Sequence, residues 1–154
     1  MSVVIWEEPF SDKLMAEVMP YLEAHYREIA WRQDVIPLDV DVERYRAMWE
    51  AGKVVIFVAR KEDLTLVGYN VYFVIQHLHY KSTLYAMNDV LYVEPSARGA
   101  AIAAKMLRAA EDSLRQRGVK VMGLHIKDVQ DWGKLAHHLG YERVESTWSK
   151  WIGG

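Results

Sequence analysis

The chain predicts an α/β fold, a mixed and strongly twisted central sheet flanked by helices. Three observations carry this. Val54 to Ala59 is continuously apolar and rich in β-branched residues, as a strand buried on both faces is. Two further strand patterns follow it, separated only by short polar turns, so they pair antiparallel. A helical stripe of Ala103, Leu107, Ala110 and Leu114 then separates these strands from another, and a helix between strand runs implies a crossover. The expected order is β-α-α-β-β-β-α-β-α-β, in one domain over residues 1–154.

Each element has its own signal. Val3 to Trp6 reads as a short strand. Ser11 caps a helix with Leu14, Met15, Val18 and Leu22 on one face; Pro20 is expected to kink or restart it, with an end near Ala30. Asp34 to Val40 contains Pro37 and reads as a loop. Asp41 caps a second helix, with Val42, Tyr45, Met48 and Trp49 at helical spacing and Gly52 as its stop. After Val54 to Ala59 comes a turn at Lys61 to Asp63, then a long strand from Thr65 to His79 in which Gly68 marks a bulge or bend. A turn at Tyr80 to Ser82 gives a return strand, Thr83 to Val93, closed by Pro95. The striped helix runs from Arg98 to Arg117 and stops at Gly118. A strand from Val119 to Ile126, a helix from Val129 to Leu139 and a last strand from Arg143 to Ile152 complete the chain.

Composition narrows the function. Of 154 residues, 51% are hydrophobic and 26% charged, enough for a packed core. The net charge of −2 supplies no basic excess for a phosphate backbone, so no nucleic-acid partner is expected. With no cysteine, disulfides, thiolate metal sites and cysteine nucleophiles are excluded. The first eight residues lack the basic start and apolar run of a signal peptide, and no stretch approaches the roughly 20 apolar residues of a membrane span. A cytoplasmic protein without membrane attachment is expected.

The chemistry concentrates in Asp89 to Ala103. A strand ends at Pro95, and a run of glycine and alanine then opens a helix. The first N–H groups of a helix have no intrahelical partner and lie at the positive end of its dipole. Small side chains let an anion approach them, which suits a phosphate or pyrophosphate. The same small residues would also serve simply to pack the helix on the strand, and composition alone does not separate the two readings.

This stretch resembles the signature of the GNAT (GCN5-related) N-acetyltransferases, [Q/R]-x-x-G-x-[G/A] after a strand ending V-x-P. Arg98 and Ala103 take its first and last positions, and Val93-Glu94-Pro95 the strand end. Leu139-Gly140-Tyr141 is similar to the L-G-[F/Y] that ends the family's fourth helix, and Val144 to Lys150 to its last strand. The element order agrees, and the small GNAT proteins of tailed phages and prophages offer a further likeness. The resemblance implies the acyl-CoA N-acyltransferase fold and transfer of an acetyl group from acetyl-coenzyme A to a primary amine, on a small molecule or a protein. It implies that Arg98, Gly99, Ala100, Ala101, Ile102 and Ala103 hold the pyrophosphate through their amides. Leu91, Tyr92 and Val93 would line the pantetheine arm where their strand splays from the strand near Leu124 to Ile126. The Leu91 and Val93 amides would polarise the thioester carbonyl.

Two positions depart from the family pattern. Ala101 stands where the signature has glycine, which matters if that residue takes a positive φ. Ala136 stands where many relatives carry a tyrosine that protonates the leaving thiolate. These departures motivate an alternative, a GNAT-shaped binding module without turnover, such as a phage-encoded antagonist of a host factor.

Among other side chains, Asp89 shares strand parity with Leu91 and Val93 and is the candidate general base. Asn88 faces the other way, to position substrate or to pack. His77 and His79 alternate on one strand face and are candidate acceptor-pocket residues. With His125 they lack a diagnostic ligand spacing, so no metal is expected. The last strand would offer a free edge for a homodimer.

Overall fold

The computed structural model describes residues 2–99 and 101–154. Its elements, in chain order, are β1 (Val3–Glu7), α1 (Asp12–Ile29), α2 (Val42–Glu50), β2 (Val54–Lys61), β3 (Leu66–Gln76), β4 (Leu84–Val93), α3 (Ile102–Gln116), β5 (Val119–Gly123) and α4 (Gly133–His138). Short 3₁₀ turns occupy Pro95–Ala97 and Asp128–Gln130. The five strands form one sheet in the order β1-β2-β3-β4-β5. All neighbours are antiparallel except β4 and β5, which the α3 crossover makes parallel.

The sheet has a helical layer on each face. Helices α1 and α2 cover one side, where Leu14 and Val18 pack on Val54, Ile56, Val58, Tyr69, Val71 and Tyr92. Helix α3 covers the other. Its Ala110 and Leu114 meet Phe57, Tyr72 and Ala86, while Ile102 and Met106 meet Ala59, Val67 and Val93. Strand β2 is buried on both faces, in keeping with its unbroken apolar run.

Local chemistry accounts for where the elements differ from expectation. Ser11 accepts the Leu14 N–H and caps α1, which continues through Pro20 without a break. β3 stops at Gln76, short of His79. The Gln76 side chain donates to the Lys81 carbonyl, and two turns, Tyr80 N–H to His77 O and Thr83 N–H to Tyr80 O, fold residues 77–83 into a loop. Val67, beside Gly68, is the extra residue of a bulge opposite Ala59 and Arg60. β5 ends at Gly123 rather than Ile126, where the chain passes so close to Met87 that a Cβ would collide with it. α4 starts late because Asp131 caps the Gly133 N–H. α3 also begins four residues later than Arg98, for a reason that concerns the site.

The last expected strand is not formed. Residues 143–152 pair with no described strand, and Val144, Trp148 and Ile152 are 81%, 93% and 88% exposed. A period-two pattern gives a strand its face; it does not supply the ladder partner. The tail's one aromatic anchor is Trp151, whose ring lies 5.9 Å from the Arg32 guanidinium beyond α1.

Candidate functional site

The site is built where β4 and β5 part. Their pairing runs from Leu84/Val119 to Met87/Gly123 and then stops, while β4 continues to Val93. The Glu94 N–H donates to Val67 O at 2.8 Å, on the β3 side. Strand alternation therefore turns the Val93 and Leu91 N–H groups the other way, into the gap that β5 leaves. The Val93 carbonyl shares that side and accepts the Arg98 Nε at 2.7 Å.

Beyond the gap the chain makes a 3₁₀ turn and reaches α3 through two left-handed residues, Gly99 at φ +86° and Ala101 at φ +59°. These conformations keep Gly99 and Ala101 out of the helix and place its first turn at Ile102. Ala101 thus sits at the positive φ that the signature glycine would favour, at a cost of about 1 kcal/mol. No side chain among the described residues caps α3, whose first internal bond is Lys105 N–H to Ala101 O at 3.1 Å. The N–H groups of Ile102, Ala103 and Ala104 find no acceptor among the described residues. Ala100 lies outside the described residues. Arg98 has a different task from the one its motif position suggests. Its N–H already donates to Pro95 O, and its guanidinium holds the Glu28 carboxylate in a two-pronged pair at 3.0 and 3.1 Å, 5.4 Å from the Tyr92 ring centre. It ties the loop to α1.

A β-bulge decides what faces the helices on the other side. Val90 pairs with Val71 and Asn88 with Tyr72, which leaves Asp89 as the extra residue. The shared parity of Asp89 with Leu91 and Val93 is therefore broken. Leu91 and Val93 point to α3, whereas Asp89 turns to α2 and accepts the Tyr45 hydroxyl at 2.5 Å. Asn88 holds the bulge open. It is 2% exposed, and its Nδ2 reaches Asn70 Oδ1 at 2.7 Å and the Val71 and Val90 carbonyls at 3.2 Å. Of its two expected roles, it packs.

Asp89 lines a cavity of about 490 Å³ between the sheet and helices α1 and α2. It keeps contact with solvent through that cavity while protein surrounds it. This enclosure pushes its carboxyl above the usual aspartate range, against the Tyr45 hydrogen bond and the positive charge of His125. Tyr69 also lines the cavity, and its hydroxyl is buried without a hydrogen-bond partner among the described residues. Such a group costs about 1–3 kcal/mol. Burial raises its pKa, and the nearby Tyr92, Asp89 and Tyr45 act in the same direction. His25 stands toward the Arg98 end, its pKa lowered by burial. Tyr45, Tyr69 and His25, which line the cavity, are absent from the site that the sequence suggests. Two of them are tyrosines with ordinary core spacing, and the bulge that brings Asp89 to Tyr45 has no Gly or Pro to announce it.

His77 and His79 are not on a strand face. They lie in the β3–β4 loop, where the His77 ring packs on Tyr80 at 4.5 Å and on Tyr85 at 5.4 Å, and neither lines the cavity. No group of three or more His, Cys, Asp or Glu side chains among the described residues is placed to hold a metal ion. No helix among them is long and apolar enough to cross a membrane.

Comparison with known proteins agrees with this geometry. The structure is similar to a ribosomal-protein-alanine N-acetyltransferase from Brucella melitensis biovar Abortus 2308, at 18% identity and TM-score 0.74, covering 99% of this chain and 100% of that one. It is also similar to a predicted acetyltransferase with acetyl-CoA from Clostridium acetobutylicum, at 14% identity and TM-score 0.75, covering 98% and 97%. A third is an aminoglycoside acetyltransferase from an uncultured soil metagenomic sample, in complex with sisomicin, at 16% identity and TM-score 0.73, covering 97% and 96%. These likenesses establish the fold. No curated protein matches the sequence. The profile of the Acetyltransferase (GNAT) family matches residues 14–141, most of the chain, and the chain belongs to that family.

Proposed function

We propose that this chain is an N-acetyltransferase that uses acetyl-coenzyme A and acetylates a primary amine by direct attack. The observation that carries the reading is the alignment of three features on one stretch of β4. These are the gap beside Leu91 and Val93, the uncapped start of α3 beyond it, and Asp89 facing a cavity on the other side. The residues fit the cofactor. The N–H groups of Ile102 and Ala103, next to the sharp turn at Gly99 and Ala101, would hold its pyrophosphate. Leu91, Tyr92 and Val93 would run beside its pantetheine arm, with the Leu91 and Val93 N–H groups donating to the acyl oxygen. When bound, acetyl-coenzyme A supplies the activated acetyl group.

The chain's own residues then prepare the amine. Asp89 accepts a proton from the substrate ammonium, directly or through one water, which frees the nitrogen lone pair. Tyr45 holds Asp89 in place. Ala136, at the family's tyrosine position, is buried and has no proton to give, so a water is the simplest donor to the departing thiolate.

Acetyl-coenzyme A at about 100 times its dissociation constant should stabilise the folded chain by roughly 2.7 kcal/mol, read as a melting shift. Release of free thiol should require an added amine. A melt indifferent to millimolar acetyl-coenzyme A would remove the assignment and favour a GNAT-shaped binding module.

The tail supports a second proposal, a homodimer. β5 ends the sheet with an open edge, and Val144, Trp148 and Ile152 are exposed apolar side chains on a tail with no described strand partner. A reciprocal exchange, each tail pairing on the other copy's β5, satisfies both. Light scattering should then give twice the 17.9 kDa chain mass, and Trp148→Asp should return the single-chain value. A single-chain mass for the unaltered protein would reject the exchange.

A further inference from the structure

Resting on the acetyltransferase reading, in which the cavity between the sheet and helices α1 and α2 takes the acceptor, we infer that this acceptor is a small, largely apolar primary amine. The ammonium would be held by Asp89 and Tyr45.

The walls set the body of this ligand. Leu14, Val18, Leu22, Ile29, Ile56 and Val71 line the space, from two helices and two strands. None offers a hydrogen bond. A sugar-like or polyhydroxylated amine would leave its hydroxyl groups unpaired against them, whereas an aryl or branched alkyl group would be buried with gain. The volume of about 490 Å³ lies within the ordinary range for small-molecule pockets.

The polar atoms set the head group. A primary ammonium carries three N–H donors and needs three acceptors. Asp89 keeps one carboxylate oxygen beyond that bonded to Tyr45. The Tyr45 hydroxyl spends its proton on Asp89, so its oxygen still has lone-pair capacity. The Tyr69 hydroxyl is buried without an accessible face on the cavity and takes no part; water in the cavity supplies the third acceptor. Asp39 and Asp41 stand at the same cavity, so an approaching cation meets acidic groups. One basic residue, Lys127, also lines it.

The test uses the full chain and two separate readouts. Acetyl-coenzyme A binding is measured by calorimetry without any amine. Acetyl transfer is then measured with phenethylamine, isopentylamine, spermidine, sisomicin and a short peptide with a free N-terminus. The inference expects kcat/KM for phenethylamine or isopentylamine to exceed that for spermidine, sisomicin and the peptide by about 100-fold. Leu22→Trp, which fills the cavity, should abolish amine turnover with cofactor binding intact. If the cofactor binds and spermidine, sisomicin or the peptide is preferred, the acceptor inference falls and the enzyme assignment stands. If the cofactor does not bind, both fall.

Discussion

Asp89→Asn should lower kcat about 10²- to 10⁴-fold at neutral pH and at the same time raise the melting temperature. The two changes have one cause. Asp89 is enclosed at the cavity wall, and burial lifts its carboxyl above the ordinary value near 3.9 despite the Tyr45 hydroxyl and His125. A carboxyl whose folded pKa is raised favours folding while protonated. That contribution is present below the unfolded pKa and is lost as pH rises through the folded one. At neutral pH the ionised group therefore opposes folding, and a neutral asparagine removes the opposition. The asparagine still accepts the Tyr45 hydrogen bond through its amide oxygen, so the geometry is kept. The stability gain should vanish below about pH 4, where the aspartate is protonated in both states.

The activity follows the same titration. The base must be ionised to take a proton, so wild-type kcat/KM should fall on the acid side along a limb centred above the usual aspartate range. The Asp89→Asn enzyme should lack that limb. Tyr45→Phe deletes a hydrogen bond that favours the ionised form, so the limb should move to higher pH. An aspartate that served only as a strut would lose stability on substitution, and its pH profile would not respond to Tyr45.

How far the site can be read from the chain depends on the kind of interaction. The sheet, its two antiparallel hairpins β2-β3 and β3-β4 and the α3 crossover follow from apolar periodicity and short turns, which are local in sequence. So does the strand that ends at Pro95 before a small-residue helix start. The gap between β4 and β5 is expected from the family resemblance, and the end of pairing at Met87 and Gly123 matches it. The errors come from features that no periodicity records. The bulge at Asp89 inverts its face relative to Leu91 and Val93, and its mark is a buried amide, Asn88, bonded across strands. Gln76 closes a loop that two histidines at strand spacing disguise as more strand. The tail keeps its alternation but lacks a partner, because pairing is a property of two segments. The cavity is also non-local, with walls drawn from residues between Phe10 and Lys127.

The largest effect on stability should come from Arg60, on the strand beneath α1. Arg60→Met should reduce the unfolding free energy by about 3–5 kcal/mol, in a chain whose whole margin is of order 5–15 kcal/mol. The Arg60 side chain is 7% exposed and all five of its N–H donors are used. Nε and Nη2 grip Glu8 at 3.0 and 2.8 Å, Nη1 and Nη2 grip Glu17 at 3.0 and 2.6 Å, and Nη1 also donates to the Leu64 carbonyl at 2.9 Å. The hydrogen bonds to Glu17 and Glu8 hold the guanidinium well above its usual pKa, and those from Arg60 hold Glu17 below the carboxylate range. Removing the cation leaves two half-buried carboxylates facing each other, and this repulsion and lost solvation supply the cost. Arg60→Lys should recover little of it, since one ammonium cannot reproduce a planar fork that serves two carboxylates. The triple substitution Arg60→Met, Glu8→Gln, Glu17→Gln should recover most of it, because it removes the stranded charge as well as the bonds. Chemical denaturation at neutral pH separates these outcomes. Glu17 lies on α1 between Leu14 and Val18, which form the cavity wall, so the ion cluster also fixes that wall against the sheet. Arg60→Met should therefore raise the acceptor KM in the fraction that remains folded.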